Sequence, residues 1–321
     1  MTLQRLASLN LTLAGLATLA AGAAIYAASA TPHAALVIGP LALLTANLAA
    51  AVATNGVFRR DLPLMVFHCA LLAVVVLAAV GRLTHFKGHV ELAEGEVFDG
   101  QVTVDEAGAL HRGALDRVRF VNDGFTIRYA AGLKRAETRN TIRVFDAEGG
   151  ITQRVIGDNE PLQSQGYRFY TTFNKGFSLV FRWFPRGGGA PDRGTVNLPS
   201  YPANEHRQAL EWKLPGSGPR LWTQLQFDKP PLDPDADTSF RKPEAHRVVL
   251  RIGQERWEIE PGQQVSLAQG VLAYEGLTTW MGYTVFYDWT MPWLIAACLT
   301  AIAALGWHFA RKFMRTPWDS P

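Results

Sequence analysis

Residues 62–81 read LPLMVFHCALLAVVVLAAVG, and from Gly81 the chain continues GRLTHFKGHVELAEGE to Glu96. The first twenty residues hold no acid or base other than His68. At a rise of about 1.5 Å per residue they make a helix about 30 Å long, the thickness of a bilayer's hydrocarbon core. The chain then turns polar and glycine-bearing, and does not become membrane-like again until near its end. A histidine inside an apolar span is a functional candidate, because an ionisable group without a partner is costly in lipid.

Working outward, the 321 residues and their 48% hydrophobic content average two unlike materials. Residues 1–81 and 290–310 are rich in Ala, Leu and Val, whereas residues 82–288 have the composition of a soluble domain. The net charge of +3 is small and its basic residues are interleaved with acids, so nothing points to a nucleic-acid surface. The two cysteines, Cys69 and Cys298, both fall in apolar spans. The long polar region therefore has no disulfide, no CxxC redox pair, no CxxCH haem-attachment site and no cysteine zinc site.

Leu9 to Ala28 is too long and too closely followed by another apolar run to be a signal-peptide core, and reads as a retained helix. A turn from Ser29 to His33 with Pro32 leads to a second span, about Ala34 to Ala53, in which Asn47 is expected to hydrogen-bond a neighbouring helix. The third span is the opening stretch, and a fourth runs from about Met291 to Phe309. Arg5, the Arg59–Arg60 pair and the cluster Arg311, Lys312 and Arg315 fall on one side if all four helices cross. The positive-inside rule makes that side the cytoplasm and puts residues 82–288 outside.

The polar region reads as β. Residues 117–121, 125–130, 141–147, 152–156, 167–173, 179–184, 221–227, 246–252 and 256–260 alternate apolar and polar side chains at period two. Asn122-Asp123-Gly124 and Glu148-Gly149-Gly150 read as turns, and residues 185–219 and 230–243 as long loops. Many short strands imply an antiparallel sandwich or open barrel. The expected fold is thus four transmembrane helices, three N-terminal and one C-terminal. An extracytoplasmic antiparallel β-sandwich-like domain is inserted between helices 3 and 4, with boundaries at 1–81, 82–288 and 289–321.

His68 lies about 9 Å inside the cytoplasmic end of its helix. Two readings of it stand: an axial ligand to haem iron, or a histidine that hydrogen-bonds another helix or snorkels toward the near interface. His308, three residues before Arg311, reads as an interfacial side chain, and His85 and His89 as surface residues at the outer end of the third span. His33, His111, His206 and His246 carry no pattern. Glu91, Glu94 and Glu96 read as solvated charge, with Glu94 and Glu96 on one face of a strand over 89–97. The aromatics of GLTTWMGYTVFYDWTMPW (276–293) read as an interfacial belt outside the fourth span. No G-x-S-x-G, Walker loop or HExxH is present.

Three blocks in order resemble the ResB family (also called CcsB), the smaller half of the system II machinery for cytochrome c maturation. The first is His68 opening the run to Gly81, then Phe86-Lys87-Gly88 and Leu92-Ala93-Glu94-Gly95-Glu96. The second is the passage from Phe125 to Phe173, with Tyr129, Gly132-Leu133-Lys134, Thr141-Ile142-Arg143-Val144, Asp146, Gly149, Asn159-Glu160-Pro161-Leu162, Gly166 and Tyr167-Arg168-Phe169-Tyr170. The third is Trp280-Met281-Gly282-Tyr283 with Tyr287-Asp288. The chain is short for that family, and Gly157 to Glu160, Trp289 and Thr171 depart from its pattern.

The resemblance implies an accessory subunit without independent catalytic activity, in a bacterial inner membrane, with both termini cytoplasmic. It implies a multispanning ResC/CcsA-like partner, apocytochrome c as client, and haem b held transiently and shared with that partner. His68 matches the family's membrane histidine and would be the haem ligand. The alternative is a membrane anchor or scaffold in another cytochrome or haem complex, whose β domain binds a partner protein and whose His68 only packs. A third reading, an electron-carrying b-type subunit, would pair His68 with His308.

Overall fold

Where the chain is uninterruptedly apolar it folds as helix: α1 (Leu9–Ala28), α2 (Ala35–Thr54), α3 (Leu62–Thr84) and α4 (Met291–Arg315). The computed structural model describes residues 3–29, 33, 35–145, 149–157, 159–216, 218–243 and 245–315. Pro32 and Ala34 of the first expected turn and span, Asp146 and Ala147 of an expected strand, Glu148 of an expected turn, and Asp158 lie outside those residues. All four helices are long and apolar enough to cross a membrane. Large apolar side chains such as Leu13, Val76, Leu299 and Ile302 stand exposed on them, an outer surface suited to lipid.

The chain divides into two compact units, Met1–Thr84 with Asp288–Pro321, and His85–Tyr287. In the helical unit small residues set the packing. A Cβ on Gly22 would lie 2.1 Å from the Leu36 carbonyl oxygen, and one on Gly15 would meet the Leu44 side chain at 2.7 Å. Such close approach is how helices associate where no hydrophobic gain separates lipid from protein. Asn47, 3% exposed, is held as expected: its amide donates to the carbonyls of Leu6 (2.6 Å) and Ser8 (3.1 Å), and its oxygen accepts from Thr12 Oγ1 at 2.7 Å. Substituting valine for Gly22 is expected to force α1 from α2, costing about 1–3 kcal/mol. Gly39→Val, where nothing lies within 4 Å, is the matched control. Melting followed by fluorescence-detected size exclusion should show a lower midpoint for the first variant alone; equal midpoints would refute the close packing.

α3 and α4 are antiparallel neighbours. A Cβ on Gly81 would come within 2.5 Å of Thr290 Oγ1 at one end, and Asp61, just before α3, meets His308 at the other. Thr290 accepts the first helical bond of α4, from Leu294 N, while its own N–H and hydroxyl donate to Asp288 Oδ1 at 2.9 and 2.7 Å.

The second unit is antiparallel β throughout its described pairings. Its strands are β1 (Phe86–Ala93), β2 (Val97–Phe98), β3 (Thr103–Ala107), β4 (Phe120–Ala130), β5 (Lys134–Phe145), β6 (Ile151–Gly157), β7 (Leu162–Ser164) and β8 (Tyr167–Pro185). They continue with β9 (Asp192–Asn197), β10 (Ala209–Lys213), β11 (Arg220–Phe227), β12 (Thr238–Ser239), β13 (His246–Ile252), β14 (Glu255–Ile259), β15 (Gln264–Leu267) and β16 (Gly270–Tyr287). The first sheet runs β3-β1-β16-β8-β7, with β15 on β16 and β9 on β8; the second runs β12-β4-β5-β6, with β2 on β4; the third runs β10-β11-β13-β14. Two apolar cores form where their faces meet, and both use β8 and β16. Phe177, Leu179, Leu272 and Tyr274 sit in one, and Tyr167, Phe169, Met281 and Tyr283 in the other.

Four expectations are corrected here. Asn122-Asp123-Gly124 is not a turn between strands but a bulge within β4, where the register shifts and Gly124 takes φ +98°. Residues 167–173 and 179–184 are parts of one strand, β8, paired with β16 on both sides of a register shift at residues 172–174. Residues 185–219 are not all loop: β9 and β10 lie there, mostly exposed edge strands whose ladder comes from β8 and β11 rather than from an apolar stripe of their own. The 276–293 aromatics do not form one belt, because Trp280 (2% exposed) and Tyr283 (0%) point into the β unit, whereas Trp289 and Trp293 are exposed.

Candidate functional site

His68 sits on the second turn of α3, two turns after Asp61, whose carboxylate Oδ1 takes the Leu64 N–H at 3.4 Å and starts the helix. Its Nδ1 lies 2.7 Å from the Leu64 carbonyl oxygen, one helical turn back. A carbonyl can only accept, so this contact puts the imidazole proton on Nδ1 and the lone pair on Nε2. Two phenyl rings bracket the imidazole edge-on: Phe67 at 5.1 Å, and Phe58 at 4.6 Å from the short helix Gly56–Arg60. The ring is half-buried and its orientation is fixed on three sides. A histidine whose far nitrogen is tied to a carbonyl while the near one presents a lone pair is the arrangement found in metal-binding imidazoles. These residues would therefore fit a ligand to iron through Nε2.

His308 does not behave as a free interfacial side chain. Its Nδ1 lies 2.9 Å from Asp61 Oδ2, so the carboxylate that starts α3 also ties the end of α4 to it. Among the described residues there is no group of three His, Cys, Asp or Glu side chains placed to hold a metal ion.

The other candidates lie in the β unit, and most have partners. His89 Nδ1 lies 2.7 Å from Asp105 Oδ1, and His85 Nε2 lies 3.5 Å from Glu106. β1 ends at Ala93, so Glu94 and Glu96 do not share a strand face. Glu94 accepts the hydroxyls of Thr278 (3.0 Å) and Thr279 (3.3 Å), while Glu96 accepts the Ala93 N–H at 2.7 Å. Glu91, by contrast, remains near the surface, with Asn197 Nδ2 at 3.5 Å. His111, which carried no pattern in sequence, stacks on Phe86 at 5.0 Å and meets the Tyr167 hydroxyl at 2.8 Å. Burial pushes that hydroxyl's pKa up to about 12, so it keeps its proton at neutral pH.

Beneath the LAEGE turn lies a buried polar network that sequence reading missed. Asn140 donates to Asn122 Oδ1 and to the Gly124 carbonyl, both at 2.8 Å, and accepts the Tyr283 hydroxyl at 2.7 Å. Asn122 in turn donates to the Leu92 carbonyl at 2.9 Å and accepts the Gly124 N–H at 3.1 Å. The network joins residues of β1, β4, β5 and β16, and so explains why all three recognisable blocks are tied to one place.

No curated protein matches the chain. Among solved structures, the cytochrome c haem lyase CcmF is similar over 93% of this chain at 13% identity, with a TM-score of 0.24. That superposition is too loose to carry an argument, and the chain matches 34% of the other protein's length. The ResB-like family profile matches residues 45–211, just over half of the 321 residues, and takes in α3 with His68 and the strands from β1 to β9. On that match, and on the order of its three blocks, this chain belongs to the ResB-like family.

Proposed function

We propose that the chain is a haem-handling subunit of the system II cytochrome c maturation complex. It works beside a ResC/CcsA-like multispanning protein, and His68 would be the side chain through which it holds haem b shared by the pair. The observation that carries this reading is the His68 imidazole, held through Nδ1 by Leu64 and presenting Nε2 from an apolar helix. Bound haem would supply the iron chemistry. The chain's own residues orient the donor nitrogen through Leu64 O, flank it with Phe58 and Phe67, and keep water from it with the apolar faces of the helices. The β unit, sandwich-like and outside the cytoplasm, receives or positions apocytochrome c. Its contribution is positioning rather than bond-making.

The orientation rests on charge. α3 and α4 are antiparallel, and Trp289 Nε1 donates to Thr84 Oγ1 at 3.0 Å, so the β unit's two connections leave the helix pair at one end. Arg59, Arg60, Arg311 and Lys312 mark the opposite end, which the positive-inside rule makes cytoplasmic. Alkaline phosphatase fused after Gly150 should be active, and fused after Arg315 inactive; the reverse pattern would overturn the orientation.

The function is tested by the optical spectrum of the purified chain with and without its multispanning partner. A haem Soret band in the pair supports the proposal. A pair that assembles without haem favours the scaffold reading instead, and haem on the chain alone favours the b-type subunit.

A further inference from the structure

β6 is the outer strand of its sheet: β5 pairs one edge, and among the described residues no strand pairs the other. Five consecutive residues, Ile151 to Val155, are exposed. Their ladder stops at an open backbone edge, the kind of edge to which another chain can add. On the face that Ile156 turns into the core, Arg154 and Thr152 follow at period two. They lie opposite Ile142 and Val144 of β5.

There the apolar core ends and a cavity of about 640 Å³ begins. Arg117, Arg119 and Arg154 all line it, together with Thr152 and the Ser164–Gln165 end of the β7–β8 turn; among the described residues no acidic side chain does. Elsewhere in this unit several exposed arginines are matched: Arg128 and Arg139 share Glu137, Arg143 holds Asp123, and Arg182 and Arg193 share Glu275. None of the three cavity arginines has an ion pair within the described residues. Three guanidiniums with no ion pair among the described residues, Arg154 on the open strand itself and Arg119 and Arg117 across β5 from it, are a charge pattern waiting for carboxylates, which guanidinium binds in a two-pronged fit.

We propose that the outer edge of β6 and the arginine cleft beside it form a docking site for an extended acidic segment of a partner protein. The segment adds as a further strand, its backbone pairing with β6, and alternate side chains fall on the face of Thr152 and Arg154. Glutamates at those alternate positions meet Arg154 and extend over the cleft whose far side Arg119 and Arg117 line. Specificity then comes from charge spacing at period two, and the site does not depend on His68.

The test uses the full chain in nanodiscs of uncharged lipid and a fluorescein-labelled peptide, (Thr-Glu)₄-Thr, read by anisotropy. The Glu peptide should bind at least about tenfold tighter than its Gln counterpart, and Arg119→Gln with Arg154→Gln should weaken it by about tenfold or more. Both arginines are exposed, so the variant should elute and melt as the native chain does. A central proline in the peptide should also weaken binding, because it removes a ladder donor. In an Asp146→Asn, Glu148→Gln background, which neutralises the chain's own acids between β5 and β6, binding should be kept or tightened. Equal binding of the Glu and Gln peptides would overturn the proposal, as would indifference to the arginine changes or to the proline. Loss of binding in the neutralised background, or citrate competing as well as the peptide does at equal charge, would also overturn it; the latter outcome would mark a small-anion site.

Discussion

Replacing His68 by alanine is expected to lower the haem content of the purified complex by at least about tenfold, the scale on which even supporting partners of metal ligands act. The helix should survive, since alanine is the best helix former and lipid tolerates it. The complex should therefore still assemble, and cytochrome c maturation should fall with haem content. Imidazole added to the medium should restore part of both, because the iron needs a nitrogen rather than its tether to the chain. If His68 only packs, with its Nδ1–H on Leu64 and its ring between Phe58 and Phe67, alanine should alter stability at most and imidazole should do nothing. Asparagine separates the two further: it can still donate within the helix but is a poor haem ligand. A His68→Asn protein that matures cytochromes normally would remove His68 from the mechanism.

The second large effect is expected in the β unit, at Asn140. This side chain is fully buried, and it satisfies Tyr283 Oη, Asn122 Oδ1 and the Gly124 carbonyl at once. Leucine of similar size would orphan the tyrosine hydroxyl and the carbonyl, while Asn122 Oδ1 keeps only the Gly124 N–H. Each orphaned buried group costs about 1–3 kcal/mol. The sum, about 3–5 kcal/mol after allowing for coupling, is a large share of the roughly 5–15 kcal/mol that holds a domain folded. Burial pushes the Tyr283 hydroxyl far above the ordinary tyrosine range, so it cannot escape the loss by ionising. Tyr283→Phe removes the donor and orphans only Asn140 Oδ1, and should cost less. Melting of the full chain, with trypsin resistance of the β unit, orders the three proteins: native, then Phe, then Leu. A leucine variant as stable as the native chain would show that the network contributes nothing to stability.

The helices were legible because a bilayer demands some twenty apolar residues in a row, and few other environments do. Strand existence was legible at period two, but strand extent was not. β8 runs on as one strand through the polar stretch from Asn174 to Gly176, with a register shift at residues 172–174, because β16 pairs with it on both sides of the shift. Asn122-Asp123-Gly124 carries turn chemistry, yet the same φ +98° glycine serves a bulge as readily as a turn. Trp280 and Tyr283 were misplaced because an amphipathic ring suits a headgroup layer and a hydrogen-bonded core equally well. Composition says nothing of which one it meets. For the site, position marked His68, but its fixed tautomer depends on a backbone carbonyl that sequence cannot orient. The Asp61–His308 contact joins residues far apart in the chain and left no local trace. Nor did the clustering of Arg117, Arg119 and Arg154, which reads as ordinary interleaved charge until β5 and β6 pair.

The pairing of β1 with β16 also bears on how the molecule is made. Phe86 emerges soon after α3, but its ladder partner Tyr287 comes about two hundred positions later. At about 5–20 residues per second of synthesis, β1 waits roughly 10–40 s for the strand that covers it. During that time only β3 is there to pair with it on its other edge. The same interval separates α3 from α4, so neither the helix pair nor the central sheet can close before β16 and α4 have been made. Closure of the sheet therefore comes late in synthesis, and a nascent chain stalled before β16 would leave one edge of β1 open.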